Sequence, residues 1–133
     1  MACGRHPSPA LTFNGALPNV PSNSITVASL MPLNTDDILK AISNPTRREI
    51  LHWLRDPAAH FAGYPHLLDP QQDGVCASFI QEKTALSQPT ISSHLSKLQK
   101  AGLLTSKRVA TWTYFKRNEQ VIAQFLSELE QSL

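Results

Sequence analysis

The basic side chains of this sequence are concentrated in one segment, and their type and spacing predict that the segment binds an anion. Residues 83–117 contain seven lysine and arginine residues and no aspartate or glutamate. The remaining sequence carries five basic and ten acidic residues, so the formal net charge of +2 conceals a strong separation of charge. Charge sorted in this way creates a local field that attracts an anionic partner such as nucleic acid. The basic residues are Lys83, Lys97, Lys100, Lys107, Arg108, Lys116 and Arg117.

The composition excludes several classes of protein. The 133 residues suit one domain with an appended segment, and no apolar run approaches the ~20 residues that a membrane-spanning helix needs. We find no glycine-rich phosphate loop, no paired carboxylates at a fixed helical spacing and no serine, histidine and acid set, so we do not expect an enzyme. Cys3 and Cys76 are too few for a disulfide framework, and residues 1–10 lack the apolar core of a secretory signal. We therefore expect a cytoplasmic protein without a membrane segment.

The predicted helices and strands that carry the basic residues follow an N-terminal arm. Residues 1–34 hold five of the ten prolines, a single charged residue and no helical or strand periodicity, which predicts a disordered or loosely packed arm. Residues 35–133 carry the periodic segments and form the predicted domain. Asn34 is the predicted N-cap of a first helix. Ser43-Asn44-Pro45 supplies a cap and a helix-starting proline for a second helix, which ends at Asp56-Pro57.

A long connection and two closely spaced helices follow. Residues 56–74 are predicted to be an irregular loop, much longer than the usual two to eight residues between packed helices. Residues 75–84 are predicted to form a short helix. Ser87 is the predicted cap of a stronger helix that ends at Gly102, a residue suited to a left-handed helix terminus. Two short helices with a tight connection are typical of a helix-turn-helix.

A hairpin and a last helix complete the domain. Residues 103–109 and 111–116 are rich in threonine, valine and aromatic residues, which predicts two strands in the position of a wing. Asn118 is the predicted cap of a last helix with a wide apolar stripe. The predicted fold is therefore mainly α with a small β-hairpin: a winged helix-turn-helix of about five helices and a two-stranded wing.

The outward face of the helix capped by Ser87 has side chains suited to DNA. A rotation of 100° per residue places small polar residues outward near the start of this helix and lysines further along. Small side chains let a helix approach base edges in the major groove, Gln and Thr can read those edges, and Lys engages phosphate. A basic pair on the hairpin lies where a wing touches phosphate or the minor groove. The predicted DNA-binding residues are Gln88, Thr90, Ser93, His94, Lys97, Lys100, Lys107 and Arg108.

Residues 36–130 resemble the ArsR/SmtB family of dimeric winged-helix repressors. The resemblance rests on Leu39-Lys-Ala-Ile-Ser-Asn-Pro-Thr-Arg-Arg-Glu-Ile-Leu51, on Leu86-Ser-Gln-Pro-Thr-Ile-Ser-Ser-His-Leu95 and on Lys100-Ala-Gly-Leu-Leu104. It implies that Gln88, Thr90, Ser92 and His94 lie on the DNA-reading helix, and that the first and last helices form a homodimer. Two departures stand out. Ser93 replaces an arginine that is often found before the histidine, and residues 109–111 lack the Gly or Asp usual at the wing tip, which predicts a tighter or differently shaped hairpin.

From this resemblance we expect a homodimeric repressor that binds a palindromic operator on double-stranded DNA and is released by an effector. The two reading helices would enter successive major grooves, with half-site centres about ten base pairs apart. The alternative is a winged helix that binds protein without sequence-specific DNA binding. That alternative calls for an apolar or acidic reading face, whereas the sequence supplies Lys97, Lys100, Lys107 and Arg108.

The effector is left open by the sequence. The family resemblance implies a metal-binding Cys-x-Cys pair at the start of the third helix, but Cys76 is followed by Ser78 at the second position. The resemblance also implies a site of carboxylate and histidine on the last helix, which here contains glutamates but no histidine. A remaining hypothesis is that His60, His66 and Cys76 converge to bind a metal ion such as zinc. Alternatively, residues 61–68 could line a pocket for an organic effector or fasten the loop over the core.

Overall fold

The computed structural model describes residues 33–133, so the predicted arm lies outside the described residues apart from Leu33 and Asn34. Seven helices and one three-stranded antiparallel sheet occur in the described part. In chain order the elements are α1 (Thr35–Ala41), α2 (Pro45–Arg55), α3 (Pro57–His60), α4 (Pro70–Asp73), β1 (Val75–Cys76), α5 (Ala77–Thr84), α6 (Gln88–Lys100), β2 (Leu104–Val109), β3 (Trp112–Arg117) and α7 (Glu119–Ser132). None of the helices within 33–133 is both long and apolar enough to cross a membrane.

The helices α1, α2, α6 and α7 each begin where a short polar side chain accepts a hydrogen bond from one of the first backbone N–H groups. In each case the cap oxygen accepts a hydrogen bond from the backbone N–H three residues further on, at 3.0 to 3.4 Å. Such a cap stabilises a helix by about 1 kcal/mol because it satisfies a donor that has no partner inside the helix. The caps of α1, α2, α6 and α7 are Asn34, Asn44, Ser87 and Asn118. The predicted starts of these four helices are therefore confirmed.

The segment predicted as an irregular loop, residues 56–74, contains two single-turn helices. Both begin with an aspartate followed by proline: Asp56 caps α3 and Asp69 caps α4. Phe61, between them, is fully buried, and its ring packs against the rings of Trp53 and Tyr64 at centroid distances of 6.3 and 5.5 Å. The long connection is therefore fastened to the core by an aromatic cluster.

The expectation of one helix over residues 75–84 is wrong at its beginning, because Val75–Cys76 forms strand β1. Val75 pairs with Phe115 and Cys76 with Tyr114, which gives the sheet order β1-β3-β2 and adds a third strand to the two-stranded wing. Gly74 permits this pairing. Its φ is +97°, and a Cβ placed there would lie 2.5 Å from the carbonyl oxygen of Phe115.

The hydrophobic core lies between the helices and the inner face of the sheet. Helices α1, α2, α5, α6 and α7 and strands β1, β2 and β3 each contribute buried apolar residues. Because the core joins the helix-turn-helix (α5–α6) to the wing (β2–β3), it holds the two in a fixed relative position. The largest core residues that are less than 2% exposed are Ile38, Ile50, Phe61, Val75, Cys76, Ile80, Leu98, Leu103 and Leu104.

Candidate nucleic-acid interface

Helix α6 presents the polar face that the sequence predicts. Ile91, Leu95 and Leu98 are buried against the core, and His94 is half-buried at the border between the buried and outward faces. The turn before α6 is closed by Ala85, which adopts the left-handed conformation with φ of +61°. The exposed residues of the helix include Gln88, Thr90, Ser92, Ser93, Lys97 and Lys100.

The Thr90 hydroxyl is oriented by the helix cap. The Ser87 hydroxyl donates a hydrogen bond to Thr90 Oγ1 at 2.9 Å. Because a hydroxyl has one proton and two lone pairs, Thr90 acts here as an acceptor and keeps its own proton for a further partner. Thr90 can therefore donate to an acceptor such as N7 of a purine in the major groove.

His94 is held by a buried arginine that the sequence analysis did not single out. Arg47, on α2, is 8% exposed, and its Nη1 lies 3.1 Å from His94 Nδ1. A guanidinium can only donate, so Nδ1 is the acceptor and the proton of the neutral ring resides on Nε2. Burial lowers the pKa of His94 below its usual value, and the positive charges of Arg47 and Lys97 lower it further. The ring is thus kept neutral, with Nε2–H as its donor.

Arg47 also closes the end of the first helix. Its Nε donates to the carbonyl oxygen of Ala41 at 2.6 Å, and its Nη2 donates to that of Lys40 at 3.4 Å. These carbonyls belong to the last turn of α1, where backbone acceptors have no partner inside the helix. The side chain of Arg47 therefore joins α1 and α2 to α6.

The wing is fixed to the reading helix by a hydrogen bond. Gln99, on α6, donates from Nε2 to the Ser106 hydroxyl on β2 at 2.9 Å. The hairpin itself turns through two residues, with Val109 paired to Trp112 and Ala110 at a φ of +58°. A two-residue turn is a tight hairpin connection, which agrees with the prediction of a tighter or differently shaped hairpin.

The predicted wing contacts Lys107 and Arg108 differ in their surroundings. Both are exposed on β2, but Lys107 Nζ forms an ion pair with Asp73 at 2.5 Å. On the neighbouring strand, Lys116 Nζ donates to the carbonyl oxygen of Gln72 at 3.0 Å. The long connection is therefore tied to the wing through α4, and Lys107 must leave Asp73 before it can meet a phosphate.

The residues predicted to bind a metal are not brought together. The His60 ring packs against His52 at 5.0 Å, whereas His66 Nε2 donates to the carbonyl oxygen of Phe61 at 2.8 Å. Cys76 is 1% exposed and belongs to the buried core. No group of three histidine, cysteine or acidic residues in the described part of the chain could hold a metal ion. The structure thus contradicts the hypothesis that His60, His66 and Cys76 converge.

The other effector positions also have structural roles. Cys76 Sγ lies 3.3 Å from the Ser78 hydroxyl, at the place where the resemblance implies a second cysteine. At the start of the last helix, the Glu119 carboxylate accepts two hydrogen bonds from Arg117 of β3, at 2.8 and 2.9 Å, and these lower the pKa of Glu119. Residues 61–68 contribute rings to the aromatic cluster, which supports the fastening role.

Helices α5 and α6 with the β2–β3 wing define a winged helix-turn-helix, and comparisons with known proteins agree. Residues 73–106 match the family described as bacterial regulatory protein, arsR family. The HTH-type transcriptional regulator YbzH of Bacillus subtilis is 40% identical over 95 residues, which are 71% of this chain and 93% of that protein. The transcriptional repressor SdpR of the same organism is 30% identical, over 65% of this chain and 79% of that protein.

Solved structures share the fold at low sequence identity. The crystal structure of the ArsR family transcriptional regulator RHA00566 superimposes with a TM-score of 0.55 and 14% identity, over 73% of this chain and 84% of that one. A homodimeric winged helix-turn-helix DNA-binding domain from Mycobacterium bovis gives a TM-score of 0.50 and 19% identity, over 88% and 90% of the two chains. The chain belongs to the ArsR family of regulatory proteins, which confirms the resemblance seen in its sequence.

Proposed function

We propose that this protein is a homodimeric transcriptional repressor that reads an operator sequence with helix α6. The observation that carries the proposal is the exposed face of α6, where short polar side chains at the N-terminal end are followed by two lysines. The short polar side chains contact base edges, whereas Lys97 and Lys100 bind the phosphates on either side. A winged helix that binds protein instead would present an apolar or acidic face, and α6 has no acidic residue.

A selection experiment tests this reading. A duplex is selected from a random pool, and its affinity is compared with that of a scrambled duplex by fluorescence anisotropy. We expect Gln88→Ala and Thr90→Ala to cost about 1 to 3 kcal/mol on the selected duplex alone, because base contacts carry specificity. Lys97→Ala should weaken both duplexes equally, because a phosphate contact is blind to sequence. Gln71→Ala removes an exposed amide outside the interface and should have no effect. Equal losses on both duplexes for all three interface variants would contradict the assignments.

The second copy of the chain is proposed to dock on α1 and α7. These two helices border an apolar cavity of about 280 Å³, lined in part by Ile42, Ile122 and Phe125. Leu126 is 57% exposed and Leu39 is 41% exposed, although both lie on helices otherwise packed against the core. A two-fold interface buries both copies of each exposed leucine, one from each protomer. Burial of each side chain stabilises the dimer by about 1.5 to 3 kcal/mol.

Sedimentation equilibrium tests the dimer. Leu126→Glu should dissociate it, because a carboxylate from each protomer would have to leave water at the interface. Leu67→Glu is the matched control, since Leu67 is 43% exposed in the long connection between α3 and α4, away from α1 and α7. Monomeric wild-type protein, or equal dissociation by both variants, would refute the proposed interface.

Release from the operator is proposed to follow from a change in the dimer geometry. In the cytoplasm the dimer would hold its two reading helices at the spacing of two half-sites, with centres about ten base pairs apart. An effector that binds more tightly to a different dimer geometry lowers the affinity for DNA. The loss of DNA-binding free energy cannot exceed the difference between the effector's binding free energies for the two geometries. Footprinting of the selected operator, repeated with metals, oxidants and small organic molecules, identifies the class of effector.

A further inference from the structure

A cationic cavity of about 400 Å³ opens beside the reading helix, between α1, α2 and α6. Its charged lining residues are Lys40, Arg47, Lys97 and Lys100, with Asp37 as the one carboxylate. Lys40 belongs to α1 and Arg47 to α2, so neither lies in the basic segment that the sequence singles out. Four positive charges around one cavity in a chain of net charge +2 form a site for an anion.

Arg47 supplies donors inside the cavity. Its side chain is more than nine-tenths buried, and three of its N–H groups are used by Ala41, Lys40 and His94. A guanidinium has five N–H donors, so two remain without a protein acceptor in the described part of the chain. An oxyanion in the cavity can accept hydrogen bonds from these two N–H groups.

The position of the cavity indicates where the anion comes from. The guanidinium that lines it also touches His94, at the edge of the DNA-reading face of α6. Lys97 and Lys100 belong both to that face and to the cavity. A DNA strand lying along α6 would therefore pass the cavity mouth with its phosphates.

We propose that this cavity binds a phosphate oxyanion, supplied by the DNA backbone beside the base pairs that α6 reads. The proposal rests on the proposed function and adds α1 to the DNA interface through Lys40. A free phosphorylated small molecule offers the same oxyanion and is the other source of this chemistry.

Salt dependence of DNA binding tests the backbone source. Each neutralised phosphate contributes about 0.9 to the slope of log affinity against log salt, which corresponds to about five-fold in affinity at 0.15 M salt. Lys40→Gln should therefore lose about five-fold on the selected and the scrambled duplex alike, and its slope should fall by about 0.9. Lys40→Arg should restore both values. Lys116→Gln is the charge-matched control: Lys116 is exposed on β3 and lines neither this cavity nor the cavity at the proposed dimer interface.

A second arm without DNA distinguishes the sources. The melting temperature of the full chain is measured against pyrophosphate concentration at constant ionic strength, for wild type and for Lys40→Gln. If Lys40→Gln binds DNA as wild type does, but pyrophosphate stabilises only wild type, the cavity takes a free phosphate and the backbone assignment is overturned. If neither measurement separates Lys40→Gln from Lys116→Gln, the cavity is not a phosphate site. If wild type binds no duplex, the proposed function fails, and the pyrophosphate arm alone decides whether the cavity binds phosphate.

Discussion

Replacement of Arg47 by leucine should destabilise the domain by about 3 kcal/mol. Its Nε and Nη1 make hydrogen bonds of 2.6 and 3.1 Å to Ala41 O and His94 Nδ1, and the third bond, at 3.4 Å to Lys40 O, is weak. A hydrogen bond from a charged group contributes about 1.5 to 3 kcal/mol, and a buried acceptor left without a partner is costly. Two such bonds at the lower value give about 3 kcal/mol, with the weak third bond offset by relief of the desolvation of the buried guanidinium.

Urea unfolding at fixed protomer concentration measures this loss. With a slope of about 1.5 kcal/mol per M urea, the midpoint should fall by about 2 M. Lys116→Leu is the control, because Lys116 is exposed, lies outside the proposed dimer interface and donates one bond, at 3.0 Å, to Gln72 O. It should lose less than about 1 kcal/mol. If the two variants unfold at the same urea concentration, Arg47 is not the link between α1, α2 and α6 described above.

Three further predictions concern the two turns with positive φ, the wing and His94. Ala85→Gly and Ala110→Gly should each raise the free energy of unfolding by about 0.5 to 1 kcal/mol in urea titrations, because both alanines have positive φ; a loss for either would contradict the strain argument. Asp73→Asn should release Lys107 and steepen the salt dependence of duplex binding by about one phosphate; an unchanged slope would show that Lys107 does not reach DNA. Folding lowers the pKa of His94, so the unfolded state binds more protons at this residue than the folded state does. The contribution of His94 to stability is therefore complete above the unfolded pKa of about 6.5 and falls as the pH decreases from 6.5 to the folded pKa. His94→Gln should flatten this part of the pH–stability curve, and NMR titration of the ring should give a pKa below that of a model peptide.

Local signals in the sequence predicted most of the helix starts. A cap needs only one side chain and the backbone three residues away, so Asn34, Asn44, Ser87 and Asn118 were recognisable without any tertiary information. The same local rule explains the error at residues 56–74. Asp56-Pro57 was interpreted as the end of a helix, whereas an aspartate before a proline is equally the start of one, and α3 begins there.

Contacts between distant parts of the chain were beyond local reasoning. Strand β1 exists because Val75 pairs with Phe115, forty residues later, and its two residues carry no alternation of their own. The hairpin position of Lys107 predicts a DNA contact, but its ion pair with Asp73 joins residues 34 positions apart and has no local signal in the sequence.

The sequence contains a periodic pattern that indicates the buried position of Arg47. Position 47 shares the buried face of α2 with Ile50, Leu51 and Leu54, at intervals of three, four and seven residues. A charged residue at a buried position requires hydrogen-bond partners, and carbonyl groups at the end of a neighbouring helix are natural acceptors. The periodicity therefore distinguishes Arg47 from Arg48, although only the structure identifies His94 as its partner.

Paired reading of DNA by two α6 helices is tested most directly by the dependence of the affinity for duplex DNA on half-site spacing. A dimer with two α6 helices in successive major grooves requires half-sites about ten base pairs apart, and five added base pairs turn the second half-site to the opposite side of the duplex. We predict that this insertion lowers the affinity for the selected duplex to that for a scrambled one, as measured by fluorescence anisotropy, and that Leu126→Glu is insensitive to the insertion. Undiminished affinity of the wild-type protein for the lengthened duplex would contradict paired reading by α6.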